Sequence, residues 1–326
     1  MKELYLNDVT NLEIEQRANR MGFGEGLVEA GIANKAVVAL CADLTASTKM
    51  DDFAAAFPER FVEVGIAEQN LVTVAAGMSL AGKVPFISSY AAFSPGRNWE
   101  QIRTTVCLNE VNVKIVGSHA GVSVGPDGAT HQVLEDIALM RVLPNMTVVV
   151  PCDAEEARKA TIAIAATNGA FYLRLAREKS PVITTAKTPF TLGKANVMRE
   201  GNDLTIVACG NLVYQALVAA EALTAEGISV EVINAAVVKP LDITTIVTSA
   251  RKTGAVLTAE EGQIAGGLGG AVAESLSDHY PVPMARIGLY DRFGESGEPA
   301  ELMEYFGLTA PNLVAKAKEL IARKSA

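Results

Sequence analysis

A glutamate stands at the start of an otherwise apolar helical segment. Glu68 lies in RFVEVGIAEQNLVTVAAGMSLAG (60–82), just after a predicted strand, and Leu71, Ala75 and Met78 follow it at helical spacing. A carboxylate at this position can simply favour the positive end of the helix dipole. Alternatively, it is a carboxyl group held in apolar surroundings and suited to proton transfer near neutral pH. The pattern alone leaves both interpretations open.

A glycine-rich loop carries two of the three histidines. SHAGVSVGPDGATHQ (118–132) follows a predicted strand and contains His119, Asp127 and His131. Glycines let the backbone approach a ligand closely, and histidines exchange protons near neutral pH. The two histidines are twelve residues apart with no cysteine or clear third ligand between them, so we expect no metal site in this chain. The loop therefore predicts contacts to an organic substrate.

Aromatic and basic side chains follow two further predicted strands. Tyr90 and Phe93 come after a strand at a spacing of three, where a flat ring could stack on them, although aromatic residues at such spacing are more often core. Arg174 and Arg177 end another strand, and arginine makes paired hydrogen bonds to phosphate. Because strand side chains alternate, Arg174 is expected to face away from Arg177, so its substitution should serve as the control for substitution of Arg177.

The elements that must position these residues are alternating strands and helices. Strands are predicted at 37–41, 61–64, 84–88, 113–117, 147–150, 171–175, 204–208, 229–234, 255–259 and 284–287. Helical patterns between them indicate parallel sheets with helices on both faces, and ligands in such sheets bind beyond the carboxyl ends of the strands. We predict an α/β fold with two doubly wound domains, 1–185 and 186–326, joined near a helix-free segment at 178–203.

The composition of the chain limits the classes of partner that it can bind. The chain has 326 residues and a net charge of −9, which argues against nucleic acid and anionic membranes. Its four cysteines form no CxxC pair and indicate reduced thiols. The polar first twenty residues do not resemble a signal peptide, and no apolar run reaches the ~18 residues that a membrane helix needs. We therefore expect a cytoplasmic protein that binds neither nucleic acid nor membrane.

Taken together, several ordered segments resemble transketolase. They are ADLTAS (42–47), RFVEVGIAEQN (60–70), SYAAFSPGRNWEQIR (89–103), SHAGVSVGPDGATHQ (118–132), the AREKS arginine, VVKPLD (237–242) and RIGLYDRFGESGEP (286–299). The resemblance covers nearly the whole chain. It implies a thiamine diphosphate pyrimidine-binding domain with a mainly parallel sheet, followed by a smaller transketolase C-terminal domain.

The resemblance also implies roles at the cofactor. Glu68 matches the glutamate that protonates the aminopyrimidine ring of thiamine diphosphate. Tyr90 and Phe93 match the aromatic pair against that ring, and Asp43 and Leu44 match the segment that borders the cofactor. The cofactor supplies the chemistry, while the protein supplies orientation and proton handling.

On the substrate side, the resemblance implies a sugar-phosphate site. Its phosphate-binding group matches Arg20, Ser47, His119 and Arg177. Asp127 and His131 match residues that contact substrate hydroxyl groups, and together with Glu68 they are the expected catalytic residues. The implied activity is transfer of a two-carbon ketol unit from a ketose phosphate to an aldose phosphate.

One family motif is missing. The sequence has no GDG followed by an asparagine, which in the family holds the metal and the diphosphate. The resemblance therefore implies a second, N-terminal transketolase subunit that carries this motif with Mg or Ca, in a two-plus-two assembly. Two other departures are Gly262, where many relatives have histidine, and SPGRNW, which makes the match just after Phe93 uncertain by one residue.

Other functions remain open at this level. A 1-deoxyxylulose-5-phosphate synthase has a similar GIAEQ segment, but usually carries histidine where Asn70 stands and DRAG where SHAG stands. The beta chain of a 2-oxoacid dehydrogenase has a comparable length but lacks GPDGATHQ. A transketolase for sulfonated or branched sugars would retain the same motifs. A non-catalytic relative could keep the fold, although it would be expected to lose several site residues.

Overall fold

The chain folds into strands that alternate with helices, and the structure, a computed structural model, describes residues 5–324. The strands are β1 (Gln16–Ala18), β2 (Val37–Cys41), β3 (Phe61–Glu63), β4 (Val84–Tyr90), β5 (Lys114–Ser118), β6 (Met146–Val149), β7 (Ala170–Arg174), β8 (Lys179–Pro181), β9 (Asn196–Arg199), β10 (Leu204–Ala208), β11 (Val230–Asn234), β12 (Val237–Lys239), β13 (Val256–Gln263) and β14 (Met284–Leu289). The α-helices are α1 (Asn19–Ala33), α2 (Asp51–Ala56), α3 (Glu68–Leu80), α4 (Trp99–Gln101), α5 (Asp136–Arg141), α6 (Ala154–Ala165), α7 (Leu212–Ala225), α8 (Ile243–Thr253), α9 (Leu268–His279), α10 (Pro299–Tyr305) and α11 (Ala310–Lys324).

A seven-stranded sheet organises the first half. Its order is β12-β6-β7-β5-β4-β2-β3, and every neighbouring pair is parallel except β12 with β6. Strands β2 and β5 are buried at every position, as expected for strands covered on both faces. The parallel strands therefore end at one edge, and the loops after β2, β4, β5 and β7 all begin there.

A five-stranded sheet forms the core of the second half. Its order is β14-β13-β10-β11-β9, parallel except for the edge strand β9. One apolar core cluster runs from Val38 and Ile115 in the first sheet to Val207, Ile233 and Val256 in the second. The two halves therefore share a buried apolar interface. Within residues 5–324, none of the helices has the length and apolar character needed to cross a bilayer.

The predicted α/β fold with two mainly parallel sheets is confirmed. All ten predicted strands are present, with ends shifted by a few residues. Four strands were not predicted, namely β1, β8, β9 and β12, and each has only three or four residues. Strands β8 and β9 lie in the segment 178–203, and β12 joins the first sheet although it lies in the second half of the sequence. The domain boundary at 185/186 stays a prediction.

A cluster of buried polar side chains near the end of β7 connects the first half of the chain to the second. The Arg174 Nε donates to Asp136 Oδ2 at 2.9 Å, and the Tyr172 hydroxyl donates to the same oxygen at 2.7 Å. The Arg174 guanidinium also donates to the Glu261 carbonyl in β13 at 2.6 Å. Arg174 is thus buried and structural. The expectation that Arg174→Ala can serve as the control for Arg177→Ala is wrong. Strand β7 is covered on both faces, so the Arg174 side chain has no solvent-exposed face to occupy.

Replacing Arg174 with alanine should destabilise the chain strongly. The substitution would leave the Asp136 carboxylate buried without its cation, and breaking such a pair costs about 3–5 kcal/mol. Urea unfolding of the isolated chain would measure the change. Arg103→Ala is the matched control, since Arg103 is exposed and its loss should change the unfolding free energy by less than about 0.5 kcal/mol. Equal, small effects of both substitutions would contradict a structural role for Arg174.

Candidate functional site

The loops at the carboxyl edge of the first sheet collect the predicted site residues. The loop after β2 carries Asp43, Leu44 and Ser47, the loop after β5 carries His119, and the start of α1 carries Arg20. This edge also collects Tyr90, Phe93, Asp127, His131, Arg177 and Glu68. The shared strand direction therefore explains why residues far apart in the sequence become neighbours.

Glu68 is a buried carboxyl group at the first position of α3. The residue is only 5% exposed, because it lies on the face of α3 that packs against the core, together with Leu71, Val72 and Ala75. The main-chain carbonyl of Glu68 accepts a hydrogen bond from the side-chain amide of Asn98 at 2.9 Å. This bond fixes the main chain of Glu68 at the point where the helix begins.

Arg97 is the side-chain partner of Glu68, and the sequence analysis did not identify it. One guanidinium nitrogen lies 3.3 Å from Glu68 Oε1 and 3.5 Å from Oε2. The guanidinium also lies over the Phe93 ring, with Cζ 4.4 Å from the ring centroid. The spacing of four between Phe93 and Arg97 was the available signal, since this loop continues into α4. The Arg97 side chain is 55% exposed and the Glu68 side chain 6%, so only the arginine end of the ion pair faces solvent.

Four rings form a cluster that Arg97 connects to this carboxyl group, since its guanidinium contacts both Phe93 and Glu68. Tyr90 and Phe93 are stacked with centroids 5.9 Å apart, and His131 contacts both through its edge, at 6.1 Å and 5.3 Å. His119 stacks on Tyr90 with centroids 3.9 Å apart. The Tyr90 face towards His119 is therefore covered, whereas both Tyr90 and Phe93 retain partial exposure.

His119 is buried and neutral. Its backbone has a φ of +58°, and its Nδ1 lies 2.9 Å from the Ser118 hydroxyl. Burial, together with the nearby cations Arg20 and Arg177, lowers the pKa of His119 to about 3. At neutral pH the imidazole therefore offers one N–H donor without a charge.

Two arginines converge beside His119. The Arg20 Nε donates to the Arg177 carbonyl at 3.0 Å, and another Arg20 nitrogen donates to the Ser47 carbonyl at 2.7 Å. Arg177 donates to the Val124 carbonyl at 2.6 Å, and one of its guanidinium nitrogens lies 3.9 Å from Asp127 Oδ2. The residues predicted as one phosphate-binding group are thus neighbours, and we call their cluster the arginine corner: Arg20, Ser47, His119 and Arg177.

Contacts from the second half of the chain fix the glycine-rich loop in place. The Ser123 N–H donates to the Glu261 carboxylate at 2.7 Å, and the Gln132 amide donates to the Glu295 carbonyl at 2.8 Å. Gly121 has a φ of +93°, and a Cβ there would lie 2.2 Å from the Glu261 Oε1. Glycine is required at this point both by its conformation and by the contact. These contacts were not evident in the sequence, since they join positions more than 130 residues apart.

The arrangement suits a flat ring and an anionic group. A partly exposed aromatic pair lies beside a buried carboxyl group, so a heteroaromatic ring could stack there and exchange a proton with Glu68. The arginine corner suits a phosphate or another anion. In the part of the chain that the structure describes, no three His, Cys, Asp or Glu side chains are grouped to hold a metal ion.

The low pKa of His119 predicts a specific acid sensitivity. An unfolded histidine binds a proton near pH 6.5, whereas folded His119 does so only near pH 3, so stability should fall as the pH falls between these values. His119→Gln should therefore reduce the loss of unfolding free energy between pH 7 and pH 5 by about 1–2 kcal/mol. Urea unfolding of the chain at both pH values measures this loss. His279→Gln, at an exposed position, is the control, and equal pH dependence in both variants would contradict the assignment.

Comparisons with known proteins point to one family. The family model described as transketolase, pyrimidine binding domain, matches residues 15–182, and the model described as transketolase, C-terminal domain, matches residues 193–313. A 6-deoxy-6-sulfo-D-fructose transketolase subunit of Clostridium sp. (strain MSTE9) is 42% identical, over 98% of this chain and 99% of that protein. An apulose-4-phosphate transketolase subunit of Phocaeicola vulgatus is 38% identical, over 94% of this chain and 98% of that protein. A solved structure described as a split gene transketolase, inactive beta4 tetramer, is 49% identical with a TM-score of 0.89, and the match covers 94% of this chain and 99% of that chain.

Proposed function

Because this chain belongs to the transketolase family, we propose that it is the pyrimidine-binding half of a two-chain, thiamine diphosphate-dependent transketolase. The reaction proposed is transfer of a two-carbon ketol unit from a ketose phosphate to an aldose phosphate. The observation that carries the proposal is the buried Glu68 carboxyl group beside the stacked Tyr90–Phe93 pair, on the same sheet edge as the arginine corner. Fold alone would not support it.

The residues present fit the aminopyrimidine part of thiamine diphosphate. Tyr90 and Phe93 would hold the flat ring, Glu68 would face a ring nitrogen, and the turn at Asp43 and Leu44 would border the cofactor. When bound, the cofactor supplies the electron sink that lets a carbon–carbon bond next to a carbonyl break and form. This chain supplies orientation and a proton.

Proton handling falls to the carboxyl and imidazole groups. Glu68 would exchange a proton between its carboxyl oxygen and the ring nitrogen, shielded from bulk water by its burial. The His131 Nδ1 lies 2.9 Å from the Thr130 hydroxyl, and the ring contacts Tyr90 and Phe93 through its edge, so its Nε2 could donate to a substrate hydroxyl group. Asp127, exposed beside Arg177, would accept a hydrogen bond from another hydroxyl group.

The arginine corner would bind the anionic end of the sugar. Arg177 uses Nη1 for the Val124 carbonyl and its Nε lies 3.5 Å from Glu178 Oε1, which leaves the Nη2 donors for a ligand. Arg20 fixes the Ser47 turn and the main chain of Arg177, so it both orients the corner and adds charge. Neutral His119 would add one hydrogen bond. Two guanidinium groups suit a phosphate dianion, and they would also bind a sulfonate.

The remaining half of the site would come from a second chain. The sequence lacks the GDG motif, and two similar proteins are described as transketolase subunits, while a third is a split gene transketolase whose beta4 tetramer is inactive. We therefore assign the diphosphate and a Mg or Ca ion to an N-terminal transketolase chain, in a two-plus-two assembly. The domain division at 185/186 and a cytoplasmic location, in keeping with four free cysteines, belong to the same proposal.

Glu68→Gln should abolish turnover in the two-chain assembly while leaving the fold intact. Glutamine keeps the shape but cannot release a proton, so kcat should fall by about 10²–10⁴-fold. Steady-state assays of the co-purified chains would measure this loss. Glu59→Gln makes the same change at an exposed carboxylate and should retain activity. More than about a tenth of the wild-type rate in Glu68→Gln would exclude the proton-transfer role.

Arg177→Ala should mainly weaken productive binding of anionic sugars. One charge-assisted hydrogen bond contributes about 1.5–3 kcal/mol, so kcat/KM for phosphorylated donors should fall by roughly 10–150-fold, and much less for unphosphorylated ones. A donor panel containing phosphorylated, sulfonated and neutral ketoses also identifies the preferred anion. Lys179→Ala removes a nearby exposed charge and is the control. If both variants lost the same small factor on every donor, Arg177 would not bind the anion.

A further inference from the structure

One carboxylate joins the two turns that carry the proposed cofactor-binding residues. Glu63, the last residue of β3, accepts a hydrogen bond from the Asp43 N–H at 2.7 Å and another from the Gly65 N–H at 3.1 Å, both through Oε1. Its Oε2 accepts from the Thr45 hydroxyl at 2.9 Å. Three donors from two separate segments thus converge on one side chain.

The first of these segments is strained and would border the cofactor. Asp43 has a φ of +59°, a conformation that non-glycine residues adopt only when their surroundings hold them there. Beyond Asp43, the Thr48 N–H donates to the Leu44 carbonyl at 2.9 Å, and Arg20 binds the Ser47 carbonyl at 2.7 Å. Glu63 therefore holds the beginning of this turn, while Arg20 holds its end.

The second segment leads into Glu68. Gly65 has a φ of +71°, and its carbonyl accepts from the Ala67 N–H at 2.7 Å, so the chain reverses tightly just before α3 begins. The position of Glu68 depends on where this turn starts. A carboxylate that binds both Gly65 and Asp43 consequently fixes the spacing between the cofactor-bordering turn and the proton-transferring carboxyl group.

We propose that Glu63 is a positioning residue for cofactor binding, which acts by accepting hydrogen bonds from both turns. The proposal rests on the proposed function, since that function places the aminopyrimidine between these turns. Glu63 itself is exposed and contributes far less to packing than the buried residues around it. Its loss should therefore change the geometry of the turns more than the stability of the domain.

The chemistry of the acceptor separates positioning from charge. A glutamine at 63 keeps an oxygen that can accept from the Asp43 and Gly65 N–H groups, and its NH₂ can donate to the Thr45 hydroxyl oxygen. An alanine keeps none of these contacts. If Glu63 acts by hydrogen bonding, Glu63→Gln should be close to wild type and Glu63→Ala should not, whereas a role through negative charge would impair both.

The test measures thiamine diphosphate binding to the two-chain assembly by calorimetry in the presence of Mg²⁺. The expected result is a Kd raised about tenfold or more in Glu63→Ala and less than about threefold in Glu63→Gln, because only the alanine loses all three acceptor contacts. Thr45→Val should give an intermediate increase, because it removes one of the three donors. Glu59→Ala, four residues away and exposed, is the control and should bind as the wild type does.

Three outcomes would overturn the proposal. They are a Glu63→Ala Kd within about twofold of the wild type, a Glu63→Gln loss equal to that of Glu63→Ala, or a fall in the thermal midpoint of the isolated Glu63→Ala chain large enough to account for the weaker binding. Failure of the proposed function is a separate result, since the wild-type assembly would then bind no thiamine diphosphate at all.

Discussion

The parallel alignment of strands β2, β4, β5 and β7 is the constraint on which the site depends. Because these strands run the same way, the loops that follow them meet at one edge, and each loop contributes a different kind of group. The end of β4 brings Tyr90 and the loop after it Phe93, the loop after β5 brings His119 and the glycine-rich segment, and the loop after β7 brings Arg177. A reversed strand would place its loop at the opposite edge.

Burial differs among the groups at that edge, and it sets the charge of His119. His119 stays neutral because it is buried beside two arginines, while the exposed Arg97 pairs with the buried Glu68 carboxyl group. The second half of the chain contributes rigidity, since Glu261 and the carbonyl of Glu295 bind the glycine-rich loop. The second half of the chain thus fixes the glycine-rich loop, while the predicted catalytic groups all lie in the first half.

Local signals in the sequence predicted the strands that form this edge, and the family resemblance supplied residues such as Arg20 and Ser47. Apolar β-branched runs indicate buried parallel strands, and the residues just after them lie where the loops meet. Strands β1, β8, β9 and β12 were missed, since three or four residues hold too little pattern and their pairing depends on distant partners. Arg174 was misjudged for a related reason: its partner Asp136 lies 38 residues away, and only the folded chain reveals that both are buried. The contacts of Arg97 with Glu68 and of Glu63 with Asp43 join positions 29 and 20 residues apart, so local spacing did not predict them.

The central claim is that this chain holds half of a cofactor site that a second chain completes. The most direct measurement is a calorimetric titration of thiamine diphosphate with Mg²⁺ into this chain alone, into the chain with the GDG motif alone, and into their mixture. The account predicts tight, stoichiometric binding by the mixture and none of comparable strength by this chain alone. Tight binding by the isolated chain, or unchanged affinity when this chain is added to the other, would contradict it.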